Sequence, residues 1–296
     1  MRVRLLAAGA IVLLITATTI QAQRQLALLA TVTDPNGAEV AAVNPEDVRI
    51  LENDNPAKVL KVEPVDRTPK VQILIDNGIG MPQESIGDLR TGLRGLIQAL
   101  PPNIEVTMVT TAPQPRFLER ATTDRQKQLD AINKIAPDTG AGRFVESLFE
   151  ATQRIERDKQ QDAAYTIVTV GTSSGDSSVR ERDMQQTMER IQKYRPVVHV
   201  TMLTQIGRSA SGGVVQAELG QAVAQNSGGR YEGINVPNRL ATLLPEIGAQ
   251  MGKTLGAGSK QFRFTFERPG SASGDLGKLA MGVNGKLVSG VSVDRR

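Results

Sequence analysis

An apolar run that ends in an acid marks where this chain most readily organises chemistry. Val71-Gln72-Ile73-Leu74-Ile75 leads directly into Asp76-Asn77-Gly78-Ile79-Gly80. In an open α/β sheet, ligands gather outside the carboxyl ends of the strands. Asp76 therefore stands where a carboxylate can ligate a cation or accept N–H bonds from its own glycine turn, and the second role is the simpler reading. A second polar cluster, Ser173-Ser174-Gly175-Asp176-Ser177-Ser178, follows the strand-like Tyr165 to Val170. Asp176 either supplies a further acid or helps start the helix near Arg180, with Ser177 or Ser178 as its cap.

Other chemistries lack their residues. His199 is the only histidine, and it lies in Val197-Val198-His199-Val200, where apolar neighbours favour a buried, neutral imidazole. One His and no Cys make a structural zinc site implausible. No Ser stands in a Gly-x-Ser-x-Gly elbow. Gly78-Ile79-Gly80 lacks the third glycine of a dinucleotide loop. No nucleophile, base and orienting group can be assembled, so the chain reads as a non-enzyme.

The elements that must position Asp76 follow from hydrophobic period. After Val71–Ile75, apolar residues at Ile86, Leu89, Leu93, Leu96 and Ile97 repeat every three or four positions, which predicts a helix from about Gln83 to Leu100. Strand and helix patterns then alternate to about residue 255: strands at 104–109, 165–170, 197–203 and 230–232, helices at 123–135, 144–155, 180–193, 214–225 and 240–255. Alternation of this kind predicts an α/β fold with a doubly wound, mostly parallel sheet. The ends differ. Leu26–Val32, Val48–Leu51 and Val59–Val65 are separated by Asp34-Pro35-Asn36-Gly37 and Glu52-Asn53-Asp54-Asn55-Pro56, which are turn signals. Phe262, Phe264 and Phe266 alternate as in a half-buried strand. The two ends are expected to form a small flanking antiparallel β unit.

Among the 296 residues, aromatics are 3% with no Trp, so the core must be aliphatic. Charged residues are 22% and well mixed, a globular composition. Arg2 and Arg4, the apolar Leu5–Ile15 and the small residues to Ala22 read as an export signal cleaved after Ala22. The apolar run is shorter than the ~20 residues a membrane span requires. Removing the two arginines lowers the net charge from +4 to +2, and no nucleic-acid motif appears, so nucleic acid is not an expected partner. The segments expected are 1–22 leader, 23–68 N-terminal β segment, 69–256 α/β domain and 257–296 C-terminal β segment.

The order of motifs in the α/β region resembles a von Willebrand factor type A domain. The resemblance rests on Leu74–Gly80 as first strand and loop, Thr139-Gly140-Ala141-Gly142-Arg143-Phe144 as second loop, Thr166–Ser173 as central strand and third loop, and Asn226-Ser227-Gly228-Gly229-Arg230-Tyr231 as a late glycine turn. Val32–Gly37 and Pro45–Glu52 resemble the leader of bacterial secreted proteins carrying this domain. The resemblance implies a metal-ion-dependent adhesion site built from Asp-x-Ser-x-Ser, a Thr and a second Asp. Here the first acid is Asp76, both serine positions are glycine (Gly78, Gly80), the Thr position is Gly142 and the second acid position is Thr172. A Mg²⁺ or Mn²⁺ ion wanting about six oxygens is poorly served by one carboxylate.

The expectation is therefore an exported, periplasmic or secreted, interaction module with a degenerate ion site and no cofactor, binding a protein partner through Asp76, Asn77, Arg143, Ser173, Ser174 and Asp176. Arg143, at the start of the second-loop helix, is expected to pair with Asp76 in place of the ion. The alternative is a metal-dependent adhesion domain with an atypical ion shell around Asp76.

Overall fold

The computed structural model describes residues 25–294 except 67, 103, 159–162, 175–176, 178–179, 205–210, 259 and 273, so the segment read as an export signal lies outside the described residues. The chain divides into two compact units, one from residues 25–65 and 260–294 and one from 66–259.

The first unit is a six-stranded sheet of β1 (Gln25–Thr33), β2 (Val48–Glu52), β3 (Asn55–Asp66), β10 (Lys260–Glu267), β11 (Leu279–Val283) and β12 (Leu287–Asp294), in the order β11-β2-β3-β10-β1-β12. β1 runs antiparallel to both β10 and β12, with Leu28 opposite Phe264 and Val293. The alternating Phe262, Phe264 and Phe266 are buried and pack on Leu28, Ala30, Val32 and Ile50. The β2–β3 turn is tighter than the sequence suggests. Asn53 and Asp54 both take positive φ (49° and 64°), so β3 starts at Asn55 rather than at Val59. Two consecutive left-handed residues match the twist of a hairpin, and Asn and Asp tolerate that conformation best after Gly.

A buried ion pair ties the β10–β11 connection of this unit to β2. Glu52 is 2% exposed, and its carboxylate accepts from Arg268 Nε at 2.9 Å and from the Gly277 N–H at 3.0 Å. Arg268 also donates to the carbonyls of Gly274 and Asp275. The Arg268 hydrogen bond holds the Glu52 carboxyl below its usual range, against the opposing effect of burial.

The second unit is a six-stranded sheet, β6-β5-β4-β7-β8-β9, from β4 (Pro69–Ile75), β5 (Glu105–Thr110), β6 (Arg116–Thr122), β7 (Ala164–Thr172), β8 (Val197–Leu203) and β9 (Tyr231–Ile234). The β5–β4–β7–β8–β9 pairs are parallel; only edge strand β6 runs antiparallel, against β5. β4 is central: Ile75 lies level with Thr110 on one side and Val170 on the other.

Helices pack on both faces. α1 (Ile86–Ala99), α2 (Arg125–Asn133) and α6 (Leu240–Gly258) share a core with Val71, Ile73 and Ile75. α3 (Phe144–Arg157), α4 (Glu181–Tyr194) and α5 (Ser211–Ser227) share one with Leu74, Ile167, Val198 and Val200. Odd and even residues of β4 thus face different helix layers, as the period of two requires. α1 and α6 approach so closely that a Cβ at Gly92 would meet the Leu240 carbonyl at 2.2 Å, and one at Gly248 the Leu96 carbonyl at 2.7 Å. Among the described residues no helix is long and apolar enough to cross a membrane.

His199 lies on β8, 5% exposed, and its Nδ1 accepts the Arg230 N–H at 3.2 Å. Burial, aided by the charge of Arg230, pushes its pKa from 6.5 down to about 4. The folded protein thus holds His199 neutral where the unfolded chain protonates it. This contribution to stability is full above pH 6.5 and is lost as pH falls toward 4, at a cost of about 3 kcal/mol. Urea unfolding from pH 7 to pH 4 should show that decline, and His199→Gln should flatten it. Glu52→Ala, which leaves the Arg268 guanidinium buried without its carboxylate, should destabilise the first unit by about 3 kcal/mol in the same assay.

Candidate functional site

Asp76 follows the last residue of β4, and its N–H still donates to the Val170 carbonyl of β7 at 2.8 Å. Because β7 runs two residues beyond that point, Thr172 arrives beside the Asp76 side chain. The Thr172 hydroxyl donates to Asp76 Oδ2 at 2.7 Å, and Oδ1 accepts the Gly78 N–H at 2.9 Å. Asp76 is 2% exposed and Thr172 fully buried. Burial pushes the Asp76 carboxyl above its ordinary value, while these hydrogen bonds pull it back.

The glycines make this closure sterically feasible. A Cβ at Gly142 would lie 2.2 Å from Asp76 Oδ2, and one at Gly80 would lie 2.2 Å from Thr172 Oγ1. A Cβ at Gly78 would meet the Gly140 carbonyl at 2.4 Å. The first and second loops are then joined through backbone bonds: Ile79 N–H to the Gly140 carbonyl at 3.0 Å, and Asp138 N–H to the Asn77 carbonyl at 2.7 Å. Asn77 adds a bond from Nδ2 to the Ala136 carbonyl at 2.8 Å. Its Oδ1 and the hydroxyls of Thr111 and Ser174 are buried without a hydrogen-bond partner among the described residues.

Arg143 does not pair with Asp76. It occupies the N-cap of α3, and its guanidinium lies 3.6 Å from Glu146 on the same helix. The Asp76 carboxylate is already enclosed and saturated by N–H and O–H donors, so a half-buried guanidinium gains more from its helical neighbour than from entering a covered site. The N-terminus of α3 is capped from elsewhere: Phe144 N–H donates to Gln216 Oε1 at 3.2 Å and Val145 N–H to Ser177 Oγ at 3.1 Å. Ser177 thus caps α3 and not α4, whose N-cap is Arg180 without a side-chain bond. Ser173 is buried, with its N–H on the Leu203 carbonyl, and Asp176 lies outside the described residues.

Two residues escaped the sequence reading. Gln216 of α5, fully buried, accepts from both Phe144 N–H and the Ser177 hydroxyl and reaches the Thr172 carbonyl at 3.5 Å. A lone amide in Val214-Val215-Gln216-Ala217 was its only signal. Ile79 is the other: it stands 58% exposed in a loop whose polar members are buried.

The donor set does not fit a hard divalent cation. Such an ion needs about six oxygens at 2.0–2.1 Å, whereas Asp76 Oδ2 is covered by the Thr172 hydroxyl and three loop positions carry no side-chain oxygen. Among the described residues, no three His, Cys, Asp or Glu side chains gather into a group that could hold a metal.

A central parallel sheet with this acid-bearing first loop is the arrangement of the von Willebrand factor type A fold, and solved structures match it. A von Willebrand factor type A protein from Catenulispora acidiphila superposes with a TM-score of 0.52 at 13% identity, covering 91% of this chain and 72% of its own. BatB from Bacteroides thetaiotaomicron (TM-score 0.45, 16% identity, 62% of this chain and 98% of its own) is also similar. So is manganese-loaded TRAP from Plasmodium vivax (0.46, 12%, 75% and 96%). No family profile and no curated protein matches the chain by sequence. The chain has the von Willebrand factor type A fold.

Gly142→Thr, which installs the hydroxyl that the adhesion site uses, should collide with Asp76 and destabilise the protein by about 2 kcal/mol. Asp76→Asn should be neutral or stabilising at pH 7. The raised Asp76 pKa means that its contribution is full below 3.8 and is lost as pH rises through the folded value, and an amide removes that slope. Chemical denaturation of both variants at pH 4 and pH 7 checks the two outcomes.

Proposed function

We propose that the α/β unit is a non-enzymatic protein-interaction module that works without a bound ion, in a protein exported to the periplasm or beyond. One observation carries the reading: the Asp76 carboxylate is enclosed at 2% exposure by Thr172, while Ile79 of the same loop projects at 58% exposure. The adhesion site of this fold is a degenerate one here, its place taken by a direct carboxylate–hydroxyl bond. A partner would then meet Ile79 and the surrounding loop backbone, not a metal. Val236, 57% exposed just beyond β9, lies at the same carboxyl end of the sheet. Loops held by rigid strands in this way are where binding residues concentrate. The sole histidine is buried and held by the Arg230 N–H, which removes it as a general base. Export rests on the basic, apolar and small-residue succession of residues 1–22.

Calorimetric titration with Mg²⁺ and Mn²⁺ should give no saturable heat. Capture of a partner from envelope extract should be indifferent to chelator and fall at least about tenfold in Ile79→Asp, as for a central apolar contact. A saturable heat that disappears in Asp76→Ala would instead establish a metal-dependent adhesion site.

A further inference from the structure

Toward the amino ends of the same strands, with Gln72 roughly 13 Å from Asp76 by strand rise, the starts of β4, β5 and β7 open into a cavity of about 340 Å³ between α3 and edge strand β6. Its size lies within the range of small-molecule sites. The polar wall is organised. Gln72, 6% exposed in the middle of an otherwise apolar strand, donates from Nε2 to the Ala151 carbonyl of α3 at 3.1 Å and accepts from Arg154 Nε at 2.8 Å. A buried amide on β4 therefore fixes the Arg154 guanidinium at the cavity. Arg154 Nη1 lies 3.6 Å from Glu150, and Nη2 is buried with no hydrogen-bond partner among the described residues.

A second cation lines the same space. Arg120 of β6 stands over the Phe117 ring at 4.5 Å, and Arg154 approaches that ring at 5.5 Å. Phe117 itself is 45% exposed. The opposite wall is already neutralised: Lys70 bridges Asp158 at 2.6 Å and Glu105 at 3.3 Å. The lining carries three cations against two carboxylates, and Glu150 beside Arg154 brings a third acid to its edge. A dianionic phosphate is disfavoured by that balance, while Arg120, which has no acid beside it in the lining, leaves room for a monoanion. A planar guanidinium with an unfilled N–H matches a carboxylate. Phe117 and the Tyr165 ring give an apolar body somewhere to rest.

We propose that this cavity binds a monocarboxylate carried on a small apolar body, with the carboxylate taken by Arg154 and Arg120 and the body laid against Phe117. The ligand is either a free small acid or the carboxyl terminus of a polypeptide, which share this chemistry. The site is separate from the Asp76 loops and stands whether or not the interaction reading of those loops holds.

The test is amide-resolved NMR titration of the full chain with benzoate, acetyl-Gly-Phe, benzamide and phenyl phosphate. Benzoate should shift residues 70–72, 105–107, 117–121 and 154 saturably, with a Kd of about 1 mM, as suits a fragment-sized ligand. Acetyl-Gly-Phe binding at the same residues would identify a chain terminus as the source, and its failure would leave the free acid. Benzamide and phenyl phosphate should bind at least about tenfold more weakly, the factor expected of a charge-assisted bidentate contact. Arg120→Ala, an exposed substitution that spares the core, should weaken benzoate at least about fivefold, and Arg154→Lys, which keeps the charge and loses the fork, should do the same. Asp76→Asn should leave binding unchanged. Absence of saturable shifts, equal binding of benzamide, or benzoate binding unaltered in both arginine variants would overturn the proposal.

Discussion

The hydrogen bond from the Thr172 hydroxyl to Asp76 Oδ2, 2.7 Å long and shut off from solvent, is the constraint around which the carboxyl end of the sheet is arranged. It exists because β4 and β7 pair in parallel with Ile75 level with Val170, which carries Thr172 past the end of β4. A carboxylate buried this deeply must be surrounded by donors, and Thr172 and Gly78 provide them. The loops can close over it only because Gly78, Gly80 and Gly142 lack the atoms that would collide with it. The same three glycines offer no side-chain oxygen, so the closeness of the loops around Asp76 and the sparse donor set there have one structural cause.

How far this could be read from the sequence depended on which forces acted locally. The alternation of Phe262, Phe264 and Phe266 and the three–four spacing from Ile86 to Ile97 record burial on one face, and the structure buries those residues. Asp76 at the end of a strand and its Asx bond to Gly78 follow from neighbouring residues alone. Thr172 was visible as a position but not as a donor, since its bond to Asp76 spans 96 residues and depends on strand register. Charge and an expected nearness at the sheet end pair Arg143 with Asp76, and burial decides otherwise: the carboxylate is enclosed by nearer donors and the guanidinium lies with Glu146. Ser177 looked like the cap of the helix that follows it, yet it caps α3 across the sheet end, together with Gln216.

Gln72 and Gln216 teach a common lesson. Each is a buried amide in an apolar stretch, and each joins elements distant in sequence: β4 to α3 through Ala151 and Arg154, and α5 to α3 and β7 through Phe144 and Thr172. A buried polar side chain is costly unless satisfied, so its presence in an apolar run signals a specific long-range junction. One such junction supports the closed Asp76 end, and the other the cationic cavity at the opposite end. The sheet consequently offers two chemically different surfaces, an apolar one at Ile79 and a cationic one at Arg120 and Arg154.

The claim that the Asp76 site is closed to ions is tested most directly by paramagnetic broadening. Amide resonances of Gly78, Gly80, Gly142 and Thr172 should be followed during titration with Mn²⁺, with Asp76→Ala as the reference. The structure predicts no broadening at these amides beyond that of the variant. Saturable broadening centred on them in the native protein and absent from Asp76→Ala would contradict the account.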